Sequence, residues 1–591
     1  MSCWTSPVAR KRCARFWRPT RSKSRFPTRN RLKKWPWLAV AAALALFLSV
    51  ALRQLDLPGF YYDEGFDLTP MLALIRGETP ELLRGIGLGV GGMTLPLMRM
   101  DYLGSITGYL TLPFMAVFGP GVAAARLQPI VFSCVTLVLA FLAGRRWFGD
   151  RVAALGVLLL AANPSFIWFS RQGITVTSIM TVFSLASFIA LDAARLRLGA
   201  GRSARLALLA AGVLAGLGLW AKFVFLWWLA LLAVIACVWV LASRQGALRG
   251  RLRTGLRALP WLAAGFVLGN APMLLFNLFG LAGGAGAPTL NLLLGSLAAP
   301  TQYGVVNTDF LGNLSKRLAD FEVFLNGSYF WYNGAPFGNT LAMPWFLGSI
   351  LVGSALAIRR PEWRKWLAVL ACIAVYLPIS SFTVSGLWAT HIFILLPLPQ
   401  WVMACAAVWA AEAILTLPSL ARLTGEARAP LATFALAAIC VALPLSRDLW
   451  VSEQQHASLA RTGGSGRFSD AVYAMSGWLD GQRIGEPIAL DWGIKSNIEV
   501  VTAGRVRPLE IHYFTGDAVE PFKQQARALL TDPSRVYIVL WAGDQTAPGF
   551  AVFDHRAQFE QLAREQGKQV REVFVASERS GLPVYVALMA R

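Results

Sequence analysis

Between residues 37 and 446 the chain is a succession of apolar stretches, and the loops leaving every second one are basic. The stretches run roughly 37–52, 122–143, 152–169, 173–192, 206–220, 223–242, 258–280, 340–358, 366–384, 388–411 and 430–446. A membrane-crossing helix needs about 20 mainly apolar residues, fewer where the bilayer thins. Arg145, Arg146 and Arg151 follow the second stretch, and Arg195, Arg197, Arg202 and Arg205 the fourth. Arg244, Arg249, Arg251, Arg253 and Arg257 follow the sixth, Arg359, Arg360, Arg364 and Lys365 the eighth, and Arg422 and Arg428 the tenth. Short basic loops stay in the cytoplasm, so these exits share that side. Only 15% of residues are charged, where a soluble domain carries about a quarter. The pattern predicts a polytopic α-helical membrane protein with about 11 transmembrane helices.

The net charge of +23 is concentrated by placement. Residues 1–36 hold a dense Arg/Lys run without a single acid, followed at once by an apolar helix. No nucleic-acid-binding fold follows it, so the segment reads as a cytoplasmic anchor on anionic lipid, and residues 37–52 as an uncleaved helix. The alternation then puts loops 53–121 and 281–339 outside the cytoplasm. The apolar run 105–118 is short and contains Pro113, which suits an interfacial or re-entrant helix within the first loop. After residue 446 the composition turns mixed, with strand-like runs at 487–491, 536–541, 571–575 and 584–589 separated by helical patterns near 468–482, 518–530 and 555–567. Residues 447–591 are therefore expected to form an extracytoplasmic α/β domain. The seven cysteines show no metal or redox spacing, and the four histidines no zinc-binding pattern.

Chemistry is expected in the first outer loop. Asp63 and Glu64, in Tyr61-Tyr-Asp-Glu-Gly-Phe66, follow the first apolar stretch closely and sit where lipid meets water. Basic residues avoid the outer face as a rule, yet Arg99, Arg126, Arg171 and Lys222 all fall near it. Lys222 is embedded in apolar sequence, where a charge costs about 2.5–3.5 kcal/mol to insert, so a partner is expected. A lipid phosphate suits such a collar of cations, and a carboxylate beside it can activate an acceptor hydroxyl. Sugar transfer from a polyprenyl phosphate needs those two functions. A transporter or flippase of a lipid-linked saccharide is the alternative, though its ionisable residues would gather at the midplane. A non-catalytic membrane scaffold is a further one.

Several segments, taken in order, carry a resemblance. They are Tyr61-Tyr-Asp-Glu-Gly-Phe66, Asp101-Tyr-Leu-Gly-Ser-Ile-Thr-Gly-Tyr-Leu110, Leu112-Pro-Phe-Met-Ala-Val-Phe-Gly119, Ala124-Ala-Arg-Leu-Gln-Pro129, Gly144-Arg-Arg-Trp-Phe-Gly149, Ser170-Arg-Gln-Gly-Ile-Thr175 and Gly216-Leu-Gly-Leu-Trp-Ala-Lys-Phe223. Over about residues 37–240 the chain resembles the membrane-embedded GT-C glycosyltransferases. More narrowly, it is similar to the bacterial group related to protein O-mannosyltransferases and lipid A aminoarabinose transferases. The resemblance implies an inverting hexosyl- or pentosyltransferase in the inner (plasma) membrane, taking its sugar from a polyprenyl-phosphate donor and passing it to an extracytoplasmic lipid, glycan or protein acceptor. It implies Asp63 as catalytic base, with Glu64 orienting it, binding substrate or holding a divalent metal ion. Arg126, Arg171 and Lys222 are carried over as donor-phosphate ligands. Asp101 and Tyr102 are carried over as substrate-binding candidates, and His391 as a substrate or metal ligand. Membrane lipids are expected partners and nucleic acid is not.

Overall fold

The computed structural model describes residues 35–172, 177–242, 248–298, 301–302, 305–306, 308–382, 389–513, 519–541 and 554–591. Arg244 and nearly all of the basic N-terminal segment lie outside these residues. Within the described residues, each apolar stretch read from the sequence is mainly helical. Among the described residues, Val122–Phe148, Thr177–Gly199, Leu398–Leu415 and Pro430–Thr462 are each long and apolar enough to cross a bilayer unaided. Two bent helix pairs raise that number to six. Trp35–Ala51, Arg205–Ala221 and Ala342–Ala357 are apolar but shorter.

The bends depart from the straight segments expected. Asp150–Ala162 and Pro164–Gln172 meet at 61°, because Pro164 has no N–H to continue the ladder and restricts Asn163 before it. Asn163 Oδ1 then accepts the Phe166 N–H at 3.0 Å and restarts the helix. Asn270 and Pro272 stand at the corresponding break between Leu252–Gly269 and Ala271–Ala282, bent by 69°.

Glycines govern one close helix pair. Gly212 and Gly216 on Arg205–Ala221 face Gly265 and Gly269 on Leu248–Gly269, and a Cβ on any of the four would collide with the backbone of the other helix. Small residues at a four-residue spacing bring two backbones together where lipid offers no hydrophobic drive. The second difference from expectation lies at residue 446, where the helix does not stop. Pro418–Thr462 runs on as one 45-residue helix, and Gly463 ends it in the left-handed conformation (φ +71°).

Beyond it lies a five-stranded mixed sheet. Its order is Val570–Ser577, Pro583–Ala590, Tyr537–Leu540, Ile488–Ala489, Leu509–Glu510, the first three antiparallel and the last two parallel to their neighbours. Alternate residues face opposite sides. Tyr537 and Val539 pack with Phe522 and Phe559 of two covering helices. Ile538 and Leu540 join a core with Val472 and Met475, and that core also contains Phe60, Leu68, Met71, Leu72 and Met115 from the first loop. The C-terminal region thus shares its hydrophobic core with loop 53–121.

Candidate functional site

Asp63 sits on a five-residue helix, Tyr62–Phe66, whose start is fixed by the chain itself. The Tyr61 N–H donates to Glu64 Oε1 at 3.1 Å. Both acids of the first turn face the positive end of the helix, which favours their ionised forms. Gly65 lies so close to the Ser496 carbonyl that no side chain would fit, which presses this turn onto the C-terminal region.

The two acids have separate fates. Glu64 is buried in a two-toothed pair with Arg126: Nε donates to Oε2 at 2.7 Å and Nη2 to Oε1 at 2.8 Å. Neither side chain keeps more than 1% of its surface exposed. The remaining donors of Arg126 go to the Leu55 and Pro58 carbonyls, each at 2.8 Å. The guanidinium expected to hold a phosphate makes all four of these bonds to the first loop. Arg171 is likewise buried, donating to the Arg53 and Gln54 carbonyls and lying 4.5 Å over the Trp168 ring.

Asp63 is only partly covered and makes no such pair. Burial pushes its carboxyl up to about 6, against the pull of Lys222 first and Arg467 second. Asp67, one helical turn along, is also raised to about 6, mainly by burial and opposed by Arg99. Arg99 donates to the Phe66 carbonyl at 2.7 Å and lies 4.3 Å over the Phe66 ring.

Lys222 ends the Arg205–Ala221 helix in extended conformation, where its backbone bridges Leu103 and the Phe223 N–H donates to the Tyr102 carbonyl at 2.9 Å. Its ammonium is 3% exposed for the residue as a whole and lies in electrostatic reach of Asp63, Asp67 and Arg317. Arg317, on Phe310–Asn326, contacts His391 Nδ1 at 3.2 Å and donates to the Ser380 carbonyl at 3.2 Å. The Tyr376 hydroxyl donates to the His391 carbonyl at 2.6 Å. Lys222, Arg317 and His391 therefore gather from three separate segments. Asp101 stands apart in a two-toothed pair with Arg84, at 2.8 and 2.5 Å, and Tyr102 joins the site through its backbone.

An aromatic stack ties the three polar segments together. Phe468 lies between Tyr61 and Tyr332, each ring 4.0 Å away, and the Tyr332 hydroxyl donates to Gln172 at 2.7 Å. Loop 53–121, loop 281–339 and the C-terminal region, which the basic-loop alternation puts on one side, meet here. Among the described residues no three His, Cys, Asp or Glu side chains converge as a metal site. Both Glu64 oxygens face Arg126, and His391 Nδ1 faces Arg317.

Sequence reasoning missed Asp67, Arg317 and Arg467. Asp67 was readable, since it lies four residues after Asp63 in a short helix. Arg317 follows Lys316 in an amphipathic stretch and Arg467 stands in a short polar segment, and only the fold selects them.

Known proteins share this architecture. Residues 106–275 match the profile of the dolichyl-phosphate-mannose-protein mannosyltransferase family. The structure of ArnT from Cupriavidus metallidurans bound to undecaprenyl phosphate superposes with a TM-score of 0.54 at 14% identity, covering 94% of this chain and 98% of that one. Its apo state gives 0.53 at 15% identity, covering 94% and 97%. The Archaeoglobus fulgidus oligosaccharyltransferase in the apo form gives 0.51 at 14% identity, covering 92% and 70%. No curated protein matches the chain by sequence. The chain has the fold of the GT-C membrane glycosyltransferases, and its residues 106–275 carry the sequence pattern of the mannosyltransferase family within them.

Proposed function

We propose that this protein transfers a sugar from a polyprenyl-phosphate donor to an acceptor hydroxyl outside the cytoplasm, with inversion at the anomeric carbon. The observation that carries the reading is Asp63, a partly accessible carboxylate titrating near pH 6, within electrostatic reach of the buried Lys222. Lys222 in turn lies in reach of Arg317 and His391.

In this mechanism Asp63 takes the proton of the acceptor hydroxyl as its oxygen bonds to the anomeric carbon. The bond from that carbon to the phosphate oxygen breaks, and its electron pair stays on the departing polyprenyl phosphate. Lys222 and Arg317 stabilise the charge that develops there, in surroundings that exclude water. His391 is the neighbouring polar contact. The Glu64–Arg126 pair fixes the turn that aims Asp63, so Arg126 acts here as a positioning residue. Undecaprenyl phosphate, bound in the ArnT structure, is the kind of leaving group this cluster suits.

Two expected results test the reading. Lys222→Met and Arg317→Gln should each weaken binding of undecaprenyl phosphate to the reconstituted protein by about 10- to 100-fold, the worth of one charged hydrogen bond. Unchanged affinity in both would remove the phosphate site from this cluster. The transfer rate should also show an acid limb near pH 6. Asp63 must be ionised to accept a proton, its carboxyl is raised to about 6, and the ionised fraction falls as pH drops through that value. Asp67 titrates in the same range, so the limb belongs to the pair. A flat profile between pH 5 and 7 would speak against Asp63 as base.

A further inference from the structure

The C-terminal region brings two side chains to the turn that bears Asp63, and the donor chemistry uses neither. Trp492 lies on the short segment between Ile488–Ala489 and Lys495–Val501. That segment is anchored on both flanks. Asp491 accepts the Leu540 N–H at 2.7 Å and pairs with His555 Nδ1 at 2.6 Å. Glu510 Oε1 accepts the N–H groups of Gly493, Ile494 and Lys495 at 3.0, 3.3 and 3.4 Å. These backbone anchors hold the loop on both sides of the indole, which also packs against the membrane-domain core. The indole is partly exposed, its ring centroid 4.5 Å from that of Tyr62, the neighbour of Asp63.

Arg467 completes the group. Its guanidinium carbon lies 4.8 Å over the Trp492 ring and 5.7 Å over that of Tyr61, and its charge acts on Asp63 second only to Lys222. The two cations come from different parts of the chain. Lys222 ends a membrane helix and shares its surroundings with Arg317, whereas Arg467 belongs to the segment after the long helix. An inverting displacement needs the hydroxyl and the leaving phosphate on opposite faces of the anomeric carbon, held in line. With the phosphate placed at Lys222 and Arg317, the acceptor belongs on the other approach to Asp63.

We propose that Trp492 and Arg467 form the acceptor-binding wall of the site and set its acceptor specificity. This rests on the reading of the protein as a polyprenyl-phosphate-dependent transferase. The aromatic face supplies a rigid, amphipathic surface for the body of the acceptor, and the guanidinium supplies donors beside the attacking hydroxyl.

The test uses the full chain reconstituted in liposomes, with a membrane extract from cells lacking the protein as the source of labelled polyprenyl-phosphate sugars and of acceptor. Label transferred and binding of undecaprenyl phosphate are measured side by side. Trp492→Ala should lower transfer at least about tenfold while the Kd for undecaprenyl phosphate stays within about twofold, and Trp492→Phe should restore most of the transfer. Trp492→Leu, which keeps apolar bulk but loses the ring, should behave as the Ala variant and guards against a packing defect. Arg467→Gln should lower transfer and move the acid limb upward, because Asp63, with Glu64 and Asp67 near it, would lose one of the two cations that pull most on its pKa. Transfer at the wild-type level in both Trp492→Ala and Trp492→Leu overturns the proposal, as does undecaprenyl phosphate binding that falls as far as transfer. Wild-type protein that consumes no polyprenyl-phosphate sugar overturns the functional reading, and this inference with it.

Discussion

Asp63→Asn should leave the protein inserted and folded, bind undecaprenyl phosphate normally, and lower sugar transfer by about 10²–10⁴-fold, the usual worth of a positioned general base. Asparagine fills the same volume and cannot accept the proton. Folding should tolerate the change because Asp63, unlike Glu64, is not locked in a two-toothed buried ion pair, because Asp67 still faces Lys222, and because burial already makes its ionisation costly. Asp67→Asn is the companion variant, since it removes an equally raised carboxyl one turn away. It should cost much less activity, its side chain being buried with Arg99 beside it and not open to substrate. Normal turnover by purified, folded Asp63→Asn would sink the assignment, and an equal loss in both variants would move the base to the pair as a unit.

The second large effect concerns stability. Arg126→Leu should destabilise the protein by about 3–5 kcal/mol, because Glu64 would be left ionised and buried without its partner. Glu64→Leu should do the same in reverse. The double variant should recover part of that loss, not all, because the Leu55 and Pro58 carbonyls lose their donor in either case. Thermal unfolding of the four proteins in detergent closes the cycle. If Arg126→Leu instead unfolds like wild type and loses only affinity for undecaprenyl phosphate, Arg126 is the phosphate ligand that the family resemblance implies.

That contrast shows what a sequence discloses here. Apolar length and basic loops are local properties, so helices such as Val122–Phe148 and Thr177–Gly199 were readable directly. The Asn163–Pro164 bend was also written locally, yet hydropathy averages straight across it. Asp63 and Glu64 were found because they stand together after an apolar stretch. Their division of labour was not, since it depends on Arg126 folding back across 62 positions to claim Glu64. Four cations were read as one collar, and of these Lys222 pulls most strongly on the Asp63 charge. Its companion Arg467 arrives from some 400 residues away, by a route set by the shared core of the first loop and the C-terminal sheet.

The shared core also fixes when this protein can act. Asp63 leaves the ribosome well before the segment that carries Arg467. The segment bearing Arg467 and Phe468 is held by Glu578, whose carboxylate takes the Gly466 N–H at 2.7 Å, and by Tyr585, whose hydroxyl meets the Arg467 carbonyl at 3.5 Å. At roughly 5–20 residues per second, those last strands follow Asp63 by about half a minute or more. Until then the carboxylate has no complete surroundings, and a chain cut short by a damaged message never acquires them. Under the proposed function, a half-made copy therefore lacks the surroundings it needs to act on a lipid-linked sugar.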